Sequence, residues 1–184
     1  PQEIGKKYFL EMVNEYNLIA KYINFENKKI LSIGSGMCGL ELIISSKCSG
    51  NSFSIIEKNY ISKKIKYGWD QNNIEAYNNI AKLNIFLSNN GMMKTRYNIY
   101  DFDRDNLPND KFDCIISLYS LDYHYDFKLY EDYFQRTFHQ NSILIFDTIR
   151  PDYFLKLFDD VKIIASTQKK IHSSKRILCR GYKY

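Results

Sequence analysis

A chain of 184 residues with 45% hydrophobic and 16% aromatic content carries enough apolar side chain for a full core, which excludes a disordered polymer. The net charge of +5 would favour acidic ligands, but the lysines lie in short scattered groups such as Lys63–Lys64 and Lys169–Lys170, not in a stripe that would track nucleic acid. Cys38, Cys48, Cys114 and Cys179 form no C-x-x-C pair, no signal peptide is visible, and no stretch approaches the ~18 apolar residues of a membrane span, so the expectation is a reduced, cytoplasmic protein without a membrane partner.

The first expected element is a helix over Ile4–Phe25, where Phe9, Val13, Tyr16, Ile19 and Ile23 recur at spacings of three and four. Ile30–Gly34 reads as the first strand. Gly34, Gly36 and Gly39 break it, and Leu40, Leu42, Ile43 and Ile44 open a helix running to about Lys47. This order puts backbone N–H groups at a helix N-terminus, where a nucleotide-like ligand can approach a chain without side chains. After the turn at Ser49–Ser52, Phe53–Ile56 forms a second strand ending at Glu57. Residues 58–71 are less regular, and Ile74, Tyr77, Ile80, Ala81, Leu83, Phe86 and Leu87 then mark a helix. Gly91 suits the left-handed position after its end.

Thr95–Tyr100 reads as the third strand, Asp101–Lys111 as a polar loop and Cys114–Leu118 as the fourth strand. A helix over Tyr130–Phe138, a fifth strand at Ile143–Phe146 and a short helix at Tyr153–Phe158 follow. Val161–Ala165 and Arg176–Cys179 close the chain as an antiparallel pair. Strands alternating with helices up to a final hairpin predict an α/β three-layer sandwich. Its seven-stranded sheet is mostly parallel, with an antiparallel C-terminal hairpin. Residues 1–184 read as a single domain, with 1–25 as an N-terminal helix packed on the core.

Ligands of such sheets bind at the carboxyl ends of the strands. Glu57, about eighteen residues past Gly39, is placed to accept hydrogen bonds from ribose hydroxyls. Asp101 or Asp103 can accept from an adenine amino group, with Phe102 or Arg104 flanking the ring. His124, in an aromatic segment beyond the fourth strand, is the candidate general base, with Asp122 next in line. Asp147, Thr148 and Arg150 are expected past the fifth strand, where Arg150 can pair an anionic substrate group or cap the sheet. Each has a plainer reading beside it: a strand-end surface carboxylate, a solvated acidic loop, a packed histidine. No Cys or His cluster has metal-ligand spacing, so no metal is expected; a magnesium ion held by Asp122, Asp126 or Asp147 is the weaker alternative.

Over nearly its whole length the chain resembles the class I S-adenosylmethionine-dependent methyltransferases. The glycine turn Ile33–Gly39, Glu57 closing the second strand, the acidic loop before Leu107–Pro108 and the terminal hairpin carry that resemblance. Gly-Met-Cys-Gly-Leu-Glu-Leu and Ser-Leu-Tyr-Ser-Leu-Asp-Tyr-His-Tyr, with the later Asp-Thr-Ile-Arg, resemble sugar O-methyltransferases more narrowly. The resemblance implies a Rossmann-like fold and S-adenosylmethionine as cofactor. It implies cofactor contacts from Gly34, Ser35, Gly36, Met37, Glu57, Lys58, Asp101, Phe102, Asp103, Ser117 and Leu118. Tyr67, Trp69, Tyr123 and Tyr125 would line the acceptor pocket.

Two positions depart from the pattern. Ser32 stands where the class carries an acid, and Cys38 where it carries its third glycine, with Gly39 one residue later. The sequence lacks an Asn/Asp-Pro-Pro-aromatic run and a Pro-Cys pair, which argues against methylation of DNA base amino groups and of cytosine carbon-5. Methylation of a small hydroxylated acceptor such as a sugar is the expected activity. The alternatives are an RNA methyltransferase, a methyltransferase-like binding subunit without turnover, and a nicotinamide-binding domain.

Overall fold

Strands that are apolar on both faces need helices on both faces, and the chain supplies them in alternation. The computed structural model describes residues 2–59, 78–123, 125–168 and 173–183. The expected irregular stretch with Tyr67 and Trp69, the first turns of the helix expected from Ile74, and His124 fall outside the described residues, in whole or in part.

Helix α1 (Gln2–Ile19) leads into β1 (Lys29–Ile33), α2 (Gly39–Lys47), β2 (Ser52–Glu57) and α3 (Ile80–Asn89). Then come β3 (Tyr97–Asp101), β4 (Cys114–Ser117), α4 (Glu131–Thr137), β5 (Ile143–Thr148) and α5 (Pro151–Phe154). The last strands are β6 (Phe158–Gln168) and β7 (Ser173–Tyr182). They form one seven-stranded sheet in the order β3-β2-β1-β4-β5-β7-β6. The first five strands are parallel, and β7 runs antiparallel to both β5 and β6. The expected sandwich and hairpin are both present. Among the described residues no helix is long and apolar enough to cross a membrane.

The period of two along each strand divides the core. Ile30, Phe53, Ile55, Cys114, Ile116, Ile145 and Leu178 face α1, α2 and α3. Leu31, Ile33, Ile56, Ile115, Leu144, Phe146 and Ile177 face α4 and α5. The second side is strongly aromatic. Phe127 packs against Phe134, Phe146, Phe154 and Phe158, and Phe138 against Tyr182. Much of the phenylalanine content is therefore core, with tilted and edge contacts that add to simple burial.

Several bounds differ from expectation. The N-terminal helix stops at Ile19; a turn follows, and Ile23 and Phe25 reach the core from irregular chain. Phe9, part of the periodic apolar pattern, is exposed, whereas Tyr8 and Met12 of the same half of α1 pack on Gly39. β3 starts only at Tyr97, since Lys94–Arg96 form a 3₁₀ turn first. Phe127–Tyr130 form another before α4. α5 ends at Phe154, β6 and β7 are longer than expected, and β5 continues through Asp147 and Thr148. Those two residues are thus buried strand positions and not loop residues beyond the sheet.

Candidate active site

The sheet order reverses between β1 and β4, and the glycine turn sits at that switch point. Gly34 and Gly36 take left-handed φ angles of 65° and 60°. A Cβ built on Gly34 would lie 2.0 Å from Ser120 Oγ, so the loop after β4 presses directly on this glycine. Among the described residues a Cβ on Gly36 meets no atom within 4 Å. Cys38 supplies a left-handed φ of 56° at the N-cap of α2, its buried thiol 2.9 Å from Ser35 Oγ. Gly39 is needed one residue later for another reason. Tyr8 and Met12 of α1 press on it, and a Cβ there would lie 2.5 Å from the Tyr8 hydroxyl.

Glu57 ends β2 facing this turn. Its carboxylate accepts from Gly36 N (2.7 Å) and Ser35 Oγ (3.0 Å), and Asn78 donates to it as well as to Gly36 O (3.0 Å). Burial raises the Glu57 pKa despite these donors, which oppose the shift. Gly39 N donates to the Tyr8 hydroxyl (3.1 Å). Two N–H groups of the turn, those of Gly36 and Gly39, are therefore engaged by Glu57 and Tyr8. Seating a pyrophosphate here would set it against a carboxylate, so the turn suits a ligand without phosphate.

Ser32 points to the α2 side of β1, on the same face as Ile30. Glu41, in the first turn of α2, meets it, and the Ser32 hydroxyl donates to the Glu41 carboxyl. Burial pushes the Glu41 pKa up to about 7, with the Ser32 bond opposing. An acid absent from the strand is thus present on the helix packed over it.

A second cluster forms at the ends of β2 and β3. Lys58 Nζ lies 3.2 Å from Asp103 Oδ1 and over the rings of Phe102 (5.2 Å) and Tyr125 (5.5 Å). Lys58, Phe102 and Asp103, each expected at the cofactor, lie together here, with Asp103 engaged by Lys58. Asp101 is a loop organiser, accepting from Asp103 N (3.2 Å) and pairing with Arg104 (3.7 Å). Ser117 Oγ bridges β1 and the next loop, donating to Ile33 O (2.8 Å) and accepting from Leu121 N (2.9 Å). Leu118 is half-buried against the core, and Met37 is exposed on the turn.

The loop after β4 is held from both faces of β5. Thr148, on one face, donates to Asp122 Oδ2 (2.6 Å). Arg150 grips the same carboxylate through Nε and Nη2 and reaches Asp126 at 3.0 Å. Arg150 is therefore paired with two carboxylates of its own chain, and Asp122 is 2% exposed. Asp147, on the other face, accepts from Tyr119 N (3.1 Å) and from Arg176 Nε (3.2 Å) and Nη2 (3.0 Å). Arg176 Nη1 also donates to Glu15 of α1. The three carboxylates considered for a metal are thus bound to guanidinium groups. Tyr119 and Asp122 both hold φ at 56°, which for non-glycine residues costs about 1–3 kcal/mol and persists only where surroundings enforce it.

Sequence reasoning missed Tyr8, Glu15, Glu41 and Arg176. Glu41 had a signal: a single acid inside Leu40–Ile44, an otherwise apolar run. Arg176 was legible as a strand residue, but its partners come from sequence positions 15 and 147.

No protein-family model matches the chain, and no curated protein matches it. Solved structures do. Mitomycin 7-O-methyltransferase MmcR superposes with a TM-score of 0.58 at 13% identity over 94% of this chain, which spans 54% of that protein. The B. subtilis M1A22 tRNA methyltransferase TrmK gives 0.56 at 12% identity over 90% of this chain and 64% of its own. Coclaurine N-methyltransferase, bound to N-methylheliamine and SAH, gives 0.55 at 10% identity over 85% of this chain and 49% of its own. With this sheet order, turn and terminal hairpin, the chain has the fold of the class I S-adenosylmethionine-dependent methyltransferases.

Proposed function

We propose that residues 1–184 form one domain that transfers a methyl group from S-adenosylmethionine to a hydroxyl of a small acceptor such as a sugar, in the reducing cytoplasm. The observation that carries this reading is Glu57 facing the Gly36 turn, where a Cβ meets no described residue. A carboxylate closing the turn opposes phosphate, and S-adenosylmethionine carries none: its charged centres are an ammonium, a carboxylate and a sulfonium. When bound, that donor supplies an electrophilic methyl group; the chain then has to orient the acceptor oxygen and remove its proton.

Gly34, Ser35, Gly36 and Met37 would lie under the methionine portion, and Glu57 would take the ribose hydroxyls. Lys58, Phe102 and Asp103 would flank the adenine, while Asp101, Ser117 and Leu118 shape the loops that carry them. His124, between Tyr123 and Tyr125 in sequence, is the proposed base, and Asp122 a positioning residue through Arg150. The O-methyltransferase among the similar structures supports the small acceptor, and the neighbour bound to SAH supports the donor, both at the level of fold.

Isothermal calorimetry with S-adenosylmethionine and S-adenosylhomocysteine tests the reading. Saturable heat with both is expected. No heat with either would leave a methyltransferase-like binding subunit instead.

A further inference from the structure

Beyond the turn, a cavity of about 200 Å³ opens between α1 and the sheet, lined by Asn14, Glu15, Leu18, Tyr119, Ala165 and the Asp147–Arg176 pair. Its position follows from strand alternation. Asp147 and Arg176 are register partners on β5 and β7, and both point to the face covered by α1. Asp147 also fixes Tyr119 N, and the next residue, Ser120, is the one pressed on Gly34. The cavity and the glycine turn therefore share one braced loop, with the cavity on the β5 side of it.

We propose that this cavity is the acceptor site, and that it admits a compact uncharged or cationic compound and rejects anions. The assignment rests on the methyl-transfer reading above. Two carboxylates, Glu15 and Asp147, outweigh one guanidinium among its lining charges. Arg176 is 3% exposed and already donates to both carboxylates, so it is no receptor for an incoming anion. Glu15, the more accessible carboxylate, is on the helix that roofs the cavity. The walls are mostly apolar, so a surplus negative charge there is poorly screened. The volume is below the roughly 300–1,000 Å³ of drug-sized pockets, which favours a single six-membered ring over a nucleotide.

Ligand-observed NMR on the full chain, using cyclohexanol, cyclohexylamine and cyclohexanecarboxylate as probes, tests the charge preference on a constant ring. The alcohol and the amine should bind, with the amine about threefold tighter, as one partly exposed charge contact provides. The carboxylate should be weakest. Glu15→Gln keeps a side chain that can accept from Arg176; it should remove the advantage of the amine and leave the alcohol unchanged. Ala165→Leu, checked for folding by circular dichroism, should block all three. Equal or tighter binding of the carboxylate, or probe binding unaffected by Ala165→Leu in a folded protein, overturns the assignment. Calorimetry with S-adenosylhomocysteine on the same samples separates the two failures. A blank titration with amine binding intact overturns methyl transfer and upholds the cavity's ligand class. Cofactor heat with carboxylate preference overturns the cavity assignment alone.

Discussion

Ser32 and Glu41 join the end of β1 to the first turn of α2 through a hydrogen bond from hydroxyl to buried carboxyl. The contact follows from alternation on the strand and from the helix packed over that face. It bears on the departure at position 32. The acid has not been lost from the neighbourhood of the turn; it is carried by the helix.

Glu41 should make stability fall as pH rises. Its carboxyl has a folded pKa of about 7 against an ordinary 4.5, so between those values the folded state binds more protons than the unfolded state. The stabilisation is complete below the lower value and lost through the upper one. Glu41→Gln removes the titration and keeps an acceptor for Ser32. Urea unfolding should therefore show a flatter pH slope for the variant, with a difference of up to roughly 3 kcal/mol at the alkaline end. Parallel slopes for the two proteins would contradict the buried carboxyl.

Gly34 and Gly36 should fail for different reasons. Alanine at 34 places a Cβ against Ser120 at a positive φ, so it should destabilise the fold by roughly 2 kcal/mol or more, read from the urea midpoint. A Cβ at 36 meets no described residue within 4 Å, so valine there should carry chiefly the backbone cost of about 1–2 kcal/mol. The Gly36→Val protein should stay folded and lose S-adenosylhomocysteine binding by calorimetry. Retained binding would remove this turn from the cofactor site.

Glu57→Ala deletes the carboxylate proposed to accept from the ribose hydroxyls, each charge-assisted bond being worth roughly 1.5–3 kcal/mol. Affinity for S-adenosylhomocysteine should fall at least about tenfold. Because burial raises the Glu57 pKa, affinity in the parent protein should already weaken on acidification above the usual carboxylate range, and this dependence should vanish in the variant. An unchanged dissociation constant would place the ribose elsewhere.

The fold was legible because its signals are local and repeated. Runs such as Ile30–Ile33 and Cys114–Ile116 admit few readings other than buried strands, and the turn between Gly34 and Gly39 orders the rest. Glu57 was legible from its distance to that turn. The ion pairs were not, since Glu15, Asp147 and Arg176 meet only through register and the crossing of α1 over the sheet. For the same reason the place of Asp122 beyond the fourth strand gave no hint of Arg150 and Thr148. The extent of α1 was misjudged because Ile23 continues its spacing while packing from irregular chain.

Asp122 and His124 divide the remaining chemistry, and their variants should behave differently. Asp122 is buried, left-handed and bound by Arg150 and Thr148, which suits a strut that fixes the loop after β4. Asparagine tolerates the same φ and keeps an acceptor for Thr148, but gives up the charge facing Arg150. Asp122→Asn should lower stability by roughly 1.5–3 kcal/mol, reduce turnover and leave the shape of the pH profile alone. Arg150→Met should reproduce that pattern. His124→Ala should leave cofactor affinity and stability near the parent values and cut turnover by about 10²–10⁴. A base must be neutral, so the parent rate should fall on acidification, and this limb should disappear in the variant. The assay is release of S-adenosylhomocysteine with a hydroxyl compound found by screening sugars and cyclic alcohols. If Asp122→Asn removes the acid limb while His124→Ala keeps it, the roles are reversed and the carboxylate is the base.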